Sequence, residues 1–317
     1  MKKSVHIPKQ LFGIIGYPLG HSLSPLLHNW GFQNNAIEAA YTAWPMPESD
    51  VAQFMDALKI MKIQGLSVTI PHKQTVMEHC DKLTKAAQDI GAVNTLYWKN
   101  GKLWGGNTDI VGFLAPLKKM SLGDTIKPKT ALILGAGGAA RAVVAGLKEL
   151  GIPYIYIANR TYSRAEALAQ DFMGSNEIGA EAEMGVEGAG DNAPNIIAIP
   201  WEDRAQYMGE IIVNTTPCGM SSSNSDIADA SPLSVADFEA ARTVLEKDAQ
   251  ERPFLLAYDL VYSPLVTPFM QCAVKAGWQS QDGLDMFVAQ GCEQFRLWTG
   301  HDLVAHDART LLLEALS

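Results

Sequence analysis

The chain has 317 residues, 47% apolar and 19% charged, enough for a large core and room for two domains. Its formal net charge of -9 provides no global field for nucleic acid or an anionic membrane, so an anionic ligand must be held by a local site. The cysteines, Cys80, Cys218, Cys272 and Cys292, are scattered without metal-ligand spacing and read as free buried thiols of a reducing compartment.

No apolar run is long enough to span a bilayer. The N-terminal apolar run is short and broken by Gly13 and Gly16, which reads as a strand and not a signal peptide. A soluble cytoplasmic protein is the expectation. Leu11 to Ile15 reads as the first strand, Pro25 to Asn34 and Val51 to Lys62 as helices, and Gly65 to Ile70 as a short strand stopped by Pro71. Thr75 to Leu83 and Lys85 to Ile90 read as helical. A hairpin is expected to turn at Asn100-Gly101. Lys, Gly and Pro cluster in KKMSLGDTIKPKT, as in a linker to a second sheet. Strands follow at Ile196 to Ile199, Glu210 to Asn214 and Phe254 to Asp259. Gly174 to Asn195 and Ser221 to Ser234 lack periodicity and read as surface insertions. This alternation of strands and helices predicts an α/β chain.

Near Ala131, LILGAGGAARA places Gly135, Gly137 and Ala140 in the spacing G-x-G-x-x-A, between an apolar strand and a helix. The first glycine allows the tight turn, the second a close approach of pyrophosphate, and the small third residue close helix packing. Unpaired N–H groups at the helix start can then face phosphates. The next strand ends not in an acid for a ribose hydroxyl but in Asn159, Arg160 and Thr161, with Arg164 one turn on. A guanidinium suits a phosphate, so the site reads as one for NADP(H).

Upstream, SVTIPHK presents His72 and Lys73, GAVNT presents Asn94, and GNTD presents Asn107, Thr108 and Asp109. Singly these are ordinary: a solvated lysine, a turn asparagine, a helix N-cap at Asp109. Ser24 precedes Pro25, which is favoured in a helix's first turn, so Ser24 is expected as the N-cap and Ser22 lies before it. His72 in an extended segment would point away from Lys73 and serve packing. His79, Cys80 and Asp81, on an expected helix, do not share a face, and no metal is expected.

Together SLSP, SVTIPHK, GAVNT, GNTD, GAGGAARA, NRTYSRAEALA, VNTTPCGM, YDLVYSPLVTP and GLDMFVAQ resemble, in order, the motifs of shikimate dehydrogenases. The resemblance runs from about Ile14 to Gln294. It implies two α/β domains with a cleft between them. Residues 1–112 would bind substrate, completed by C-terminal helices from 284–317. Residues 113–283 would form a Rossmann unit for NADP(H). The implied reaction is the reversible reduction of 3-dehydroshikimate to shikimate.

Residue by residue, the resemblance implies that Lys73 and Asp109 are the catalytic pair, with the proton assigned to the pair and not to one partner. It implies that Ser22 and Ser24 hold the substrate carboxylate, that Thr69, Asn94 and Gln290 surround the ring, and that Tyr262 lies near substrate and nicotinamide. The cofactor would lie against Gly135, Ala136, Gly137, Gly138, Ala139, Asn159, Arg160, Thr161, Arg164, Thr215, Gly283 and Met286. The partner implied is a small-molecule substrate; a homodimer is compatible with the sequence, which does not set the oligomeric state. Ser67, where the family often has Asn, and His72, where it is often aromatic, leave ring specificity open. A quinate/shikimate dehydrogenase accepting NAD is the close alternative. A non-catalytic sensor on the same fold could lose the lysine or the aspartate, and both are present.

Overall fold

The computed structural model describes residues 7–20, 22–173, 194–221, 225–248 and 253–316. It divides into two compact units, Met1–Gly112 with Phe287–Ser317, and Phe113–Met286.

In the first unit the elements are β1 (Gln10–Gly16), α1 (Ser24–Asn34), β2 (Ala39–Pro45), α2 (Val51–Met61), β3 (Gly65–Val68), β4 (Lys82–Leu83), α3 (Lys85–Ile90), β5 (Thr95–Lys99) and β6 (Lys102–Gly106), followed by the start of α4 (Asp109–Lys119). The sheet order is β2-β1-β3-β5-β6-β4. β1 is flanked by parallel partners, while β3, β5 and β6 pair antiparallel. Strand alternation splits the core of this unit into two layers. Phe12 and Ile14 pack with Phe32, Tyr41 and Phe295 on one face, and Ile15 packs with Val51, Met55 and Leu58 on the other. The hairpin turns at Asn100 and Gly101, both with positive φ (53° and 71°), as a tight two-residue turn requires.

Two expectations for this unit are corrected. Thr75 to Leu83 is not one helix. A 3-10 turn covers Thr75–His79, Cys80 is extended, and Lys82–Leu83 pairs with β6. The cause is long-range: Asp81 N–H donates to Leu103 O at 2.9 Å and Asp81 Oδ2 accepts Leu103 N–H at 2.7 Å, so the sheet edge captures the segment. His79, Cys80 and Asp81 therefore do not share a helix. Likewise β3 stops at Val68, and Thr69 to Gln74 turns, closed by His72 N–H donating to Thr69 O at 3.0 Å. Pro71 has no N–H to continue a ladder.

The second unit holds the rest of α4, then β7 (Thr130–Leu134), α5 (Gly138–Glu149), β8 (Tyr154–Asn159), α6 (Tyr162–Met173), β9 (Asn195–Pro200), β10 (Ile211–Asn214), α7 (Ser225–Ala228), α8 (Val235–Asp248), β11 (Leu256–Asp259), α9 (Pro268–Lys275), β12 (Gln279–Gln281) and the first turn of α10 (Leu284–Thr299). The sheet is wholly parallel, ordered β12-β11-β10-β7-β8-β9. β10 and β11 are buried along their whole length, as expected of parallel strands covered on both faces. Strand order reverses between β7 and β10, and such a switch point opens a crevice at the strands' carboxyl ends. The expected loop at Ser221 to Ser234 carries the short α7, tied by Gly219 N–H donating to Ile227 O at 2.7 Å. The other expected insertion, Gly174 to Asn195, lies almost wholly outside the described residues. α10 continues into the first unit, which α11 (Ala305–Leu316) completes. No described helix is long and apolar enough to cross a membrane.

Candidate active site

Lys73 sits in the turn after β3, where its carbonyl accepts Val93 N–H at 2.7 Å. That bond sets Lys73 beside Asn94, which directly precedes β5. Asp109 is the first residue of α4, and its N–H donates to Asn107 Oδ1 at 2.9 Å. The Lys73 and Asp109 side chains are 12% and 8% exposed, and Nζ lies 2.5 Å from Oδ2. Asp109 Oδ1 accepts Asn94 Nδ2 at 2.8 Å, so both carboxylate oxygens are engaged. Of the two readings of Asp109, the plain one of an N-cap does not hold: it is the first helical residue and pairs with Lys73.

Asn94 is the hub of this site. Its Nδ2 also donates to Thr108 Oγ1 at 3.0 Å, and its Oδ1 accepts Thr108 N–H at 2.8 Å and Thr95 Oγ1–H at 2.7 Å. Gln290, on α10, accepts from the Thr108 hydroxyl at 3.5 Å. One helical turn on, Gln294 Nε2 donates to Asn94 O at 3.1 Å and to Thr95 Oγ1 at 3.0 Å. Gln294 Oε1 accepts Ser67 Oγ–H at 2.8 Å, and Ser67 accepts the Tyr41 hydroxyl at 2.7 Å. A buried polar chain thus runs from Tyr41 to Lys73. Fully satisfied networks of this kind fix side-chain geometry. Thr69 leaves β3 with its N–H donating to Ile15 O at 2.9 Å.

The serine pair differs from expectation. α1 begins at Ser24, and the residue before it, Leu23, makes no side-chain cap. Ser22 Oγ accepts the Ser24 N–H at 3.3 Å, so Ser22 satisfies the first helical donor. The expected capping role of Ser24 is corrected: the helix starts one residue earlier than Pro25 suggested, and Ser24, buried, turns its hydroxyl to Tyr41. Burial holds the Tyr41 phenol well above its ordinary range, with Ser67 and Ser24 offsetting part of that rise. His28 stacks on Tyr41 at 4.6 Å between ring centroids. Its imidazole is pushed from 6.5 to about 3 by burial, which the neighbouring Gln294 side chain only partly offsets. Neither His28 nitrogen reaches hydrogen-bonding geometry with a partner. His72 is fully buried, with Nε2 2.6 Å from Met46 O. It lies in a turn and not the extended segment expected of it, and that contact faces it away from acid-base duty.

The second unit carries the remaining predicted residues. Gly135, with φ +108°, directly follows β7, and a Cβ there would lie 2.4 Å from Thr215 Oγ1. Thr215 is fixed by its hydroxyl donating to Leu134 O at 2.8 Å. Gly137 is the N-cap of α5 with no side-chain cap, and a Cβ there would meet nothing within 4 Å. Ala136, Gly138 and Ala139 are half-buried around it. At the end of β8, Asn159 Nδ2 donates to Thr161 O at 2.8 Å, and Arg160, Thr161 and Arg164 are exposed. Gly283 sits where a Cβ would lie 2.3 Å from Leu260 O. Met286 is buried, and burial raises the Tyr262 phenol. Among the described residues no group of three His, Cys, Asp or Glu could hold a metal.

Three family models match along the chain: the shikimate dehydrogenase substrate binding domain over residues 14–96, shikimate / quinate 5-dehydrogenase over 117–184, and the shikimate 5'-dehydrogenase C-terminal domain over 283–303. A shikimate dehydrogenase (NADP(+)) of Oleidesulfovibrio alaskensis is 44% identical over 98% of this chain and 97% of that one. The chain belongs to the shikimate dehydrogenase family. Its fold matches the solved shikimate 5-dehydrogenase of Thermus thermophilus in complex with NADP(H) and shikimate, with TM-score 0.75, 32% identity and coverage of 97% of this chain and 100% of that one. It also matches the enzyme of Listeria monocytogenes in complex with shikimate and NAD, with TM-score 0.79, 27% identity and coverage of 98% and 100%.

For a shikimate dehydrogenase, the dinucleotide cradle is well formed. The uncapped start of α5 and the open space above Gly137 suit a pyrophosphate, and exposed guanidiniums follow β8 where an acid would repel a phosphate. The sequence reading missed Tyr41, Thr95, Gln294 and, in the second unit, Asp259. Two spacings carried a signal. Ser67 and Thr69 stand two apart at a strand end, and Gln290 and Gln294 share a helix face at i,i+4.

Proposed function

We propose that the chain catalyses the reversible NADPH-dependent reduction of 3-dehydroshikimate to shikimate. The buried, hydrogen-bonded Lys73–Asp109 pair carries this reading, because ketone reduction needs a polarised carbonyl and a proton for its oxygen. NADP(H), when bound, supplies or accepts the hydride. Lys73 polarises the carbonyl and moves the proton. Asp109 orients the ring hydroxyl beside the lysine, and Asn94 locks Asp109 by bonding Oδ1. Ser22, Ser24 and Tyr41 hold the ring carboxylate, while Thr69 and Gln290 line the hydroxyl side. Gly135 to Ala139, Thr215, Gly283 and Met286 hold the dinucleotide, Tyr262 meets its nicotinamide end, and Asn159, Arg160, Thr161 and Arg164 hold its extra phosphate.

The four cysteines are free but half-buried, not buried as expected, and free thiols support a reducing cytoplasm as the location of this activity. Steady-state rates with shikimate and quinate, each with NADP and NAD, test the reading. Shikimate with NADP is expected to give the highest kcat/KM. Higher values with quinate, or with NAD, would favour the quinate/shikimate alternative, and no turnover with any pair would remove the enzymatic reading.

A further inference from the structure

Asp259 ends β11, is fully buried, and has no part in the proton chemistry above. Its Oδ1 accepts Asn214 Nδ2 at 3.0 Å and Val261 N–H at 3.1 Å, and its Oδ2 accepts the Thr267 hydroxyl at 2.6 Å. These partners lie on three different segments: the end of β10, the loop carrying Tyr262, and the N-cap of α9. Each contact is passed on. Asn214 Oδ1 accepts both the N–H and the hydroxyl of Thr216, at 3.1 and 2.6 Å, and Thr216 Oγ1 accepts Cys218 N–H at 3.3 Å. That brackets Thr215, whose hydroxyl occupies the space a Cβ on Gly135 would need. On the other side, Val261 O accepts Gly283 N–H at 3.2 Å.

We infer that Asp259 is a positioning residue for the dinucleotide: one buried carboxylate holds the Thr215 loop, the Tyr262 loop and Gly283 in register with the glycine turn. The inference rests on the NADP(H) reading of this unit. A carboxylate serves this task better than a neutral acceptor. Its hydrogen bonds are charge-assisted, and its two oxygens can serve three donors at once. Burial pushes its carboxyl up to about 6 against the opposing pull of its three donors, and with all three partners donating, its two oxygens act purely as acceptors, as an ionised carboxylate does. A carboxylate is costly to bury, and one kept bonded to a strand end, a loop and a helix cap is spent on holding those segments together.

The test measures NADPH affinity by fluorescence titration and shikimate affinity by calorimetry, on the full chain. Asp259→Asn keeps the shape but removes the charge and opposes a donor to the Thr267 hydroxyl. Thr216→Val leaves Asp259 intact and cuts the last link, and Thr216→Ser restores the hydroxyl. The first two should weaken NADPH binding by about threefold to tenfold, the scale of one hydrogen bond, and raise KM for NADP more than they change kcat. Shikimate affinity should stay within twofold of wild type, about the noise of such bonds, and Thr216→Ser should bind NADPH as wild type does. Unchanged NADPH affinity in both weakened variants, or parallel loss of shikimate binding, would overturn the inference while leaving the functional reading intact. Loss of folding in both would make the cluster a folding element only, which also overturns it. A wild-type chain that binds no NADPH would remove the functional reading itself, and this inference with it.

Discussion

Lys73 Nζ and Asp109 Oδ2 stand 2.5 Å apart on side chains that are almost wholly buried, and Asn94 holds the other carboxylate oxygen. The lysine is therefore held by a partner that is itself held. Such preorganisation places a proton donor without cost at the moment of reaction.

Lys73→Ala should lower kcat by ~10²–10⁴-fold, the range for a lost acid-base group. NADP affinity should hardly change, because the lysine belongs to the first unit. Asn94→Ala should also lower kcat, by a smaller factor, since Asp109 keeps its contact with Lys73 but loses one anchor. Near-normal turnover of Lys73→Ala in a steady-state assay would exclude the proposed role.

His28 supplies a prediction in pH. Its imidazole is held at about 3 in the fold against 6.5 ordinarily, so the unfolded chain binds more protons between those values. Stability is fully present above pH 6.5 and falls as pH drops toward 3, by about 1.4 kcal/mol per unit at most. His28→Phe, with a ring of similar shape among Tyr41, Phe295 and Trp298, should flatten that acid limb and leave Tm at pH 7 equal or higher. Urea unfolding across this pH range reads the slope. An unchanged slope would place the acid sensitivity elsewhere.

The serines separate two tasks. Ser22→Ala removes a long hydrogen bond to Ser24 N–H, a cap worth about 0.5–1 kcal/mol at most. If Ser22 also binds the ring carboxylate, KM for shikimate should rise by about tenfold, the value of a hydrogen bond to a charged group, with KM for NADP unchanged. Ser24→Ala and Tyr41→Phe should each weaken shikimate binding and combine non-additively, because the two side chains interact. Normal shikimate binding by Ser22→Ala would return Ser22 to a purely capping part.

These elements show where local sequence sufficed. The β7-α5-β8 succession was legible because apolar runs, a glycine spacing and helical periodicity agree over a short span. The Asn100-Gly101 turn was legible because both positions need positive φ. The start of α1 was misplaced by one residue, since proline is favoured anywhere in the first turn. Thr75 to Leu83 was misread because a ladder to β6 overrode local helix preference. The Ser67–Gln294 bond joins positions 227 residues apart, and the Asn214–Asp259 bond joins positions 45 apart. No local pattern announces such pairs. They become visible only when strands and helices bring buried polar groups together that must satisfy one another.

We propose that Arg160 decides between cofactors. β8 ends in Asn159 with no carboxylate following, and Arg160, Thr161 and Arg164 lie exposed on the next turn. The Asn159 amide ties down Thr161 O, so the turn that displays the guanidiniums is braced from within. A phosphate on the ribose would gain a charged hydrogen bond from Arg160 that a bare hydroxyl cannot return in kind. Arg160→Ala should therefore raise KM for NADP by roughly tenfold to a hundredfold, while KM for NAD changes little. Placing an acid instead, as Arg160→Asp, should go further, because a carboxylate repels the phosphate but accepts from the ribose hydroxyl. The preference for NADP over NAD should then collapse or reverse. Raised salt should weaken wild-type NADP binding more than that of Arg160→Ala, since an exposed ion pair is screened. Equal effects of Arg160→Ala on the two cofactors, at any salt, would mean that this turn does not read the phosphate.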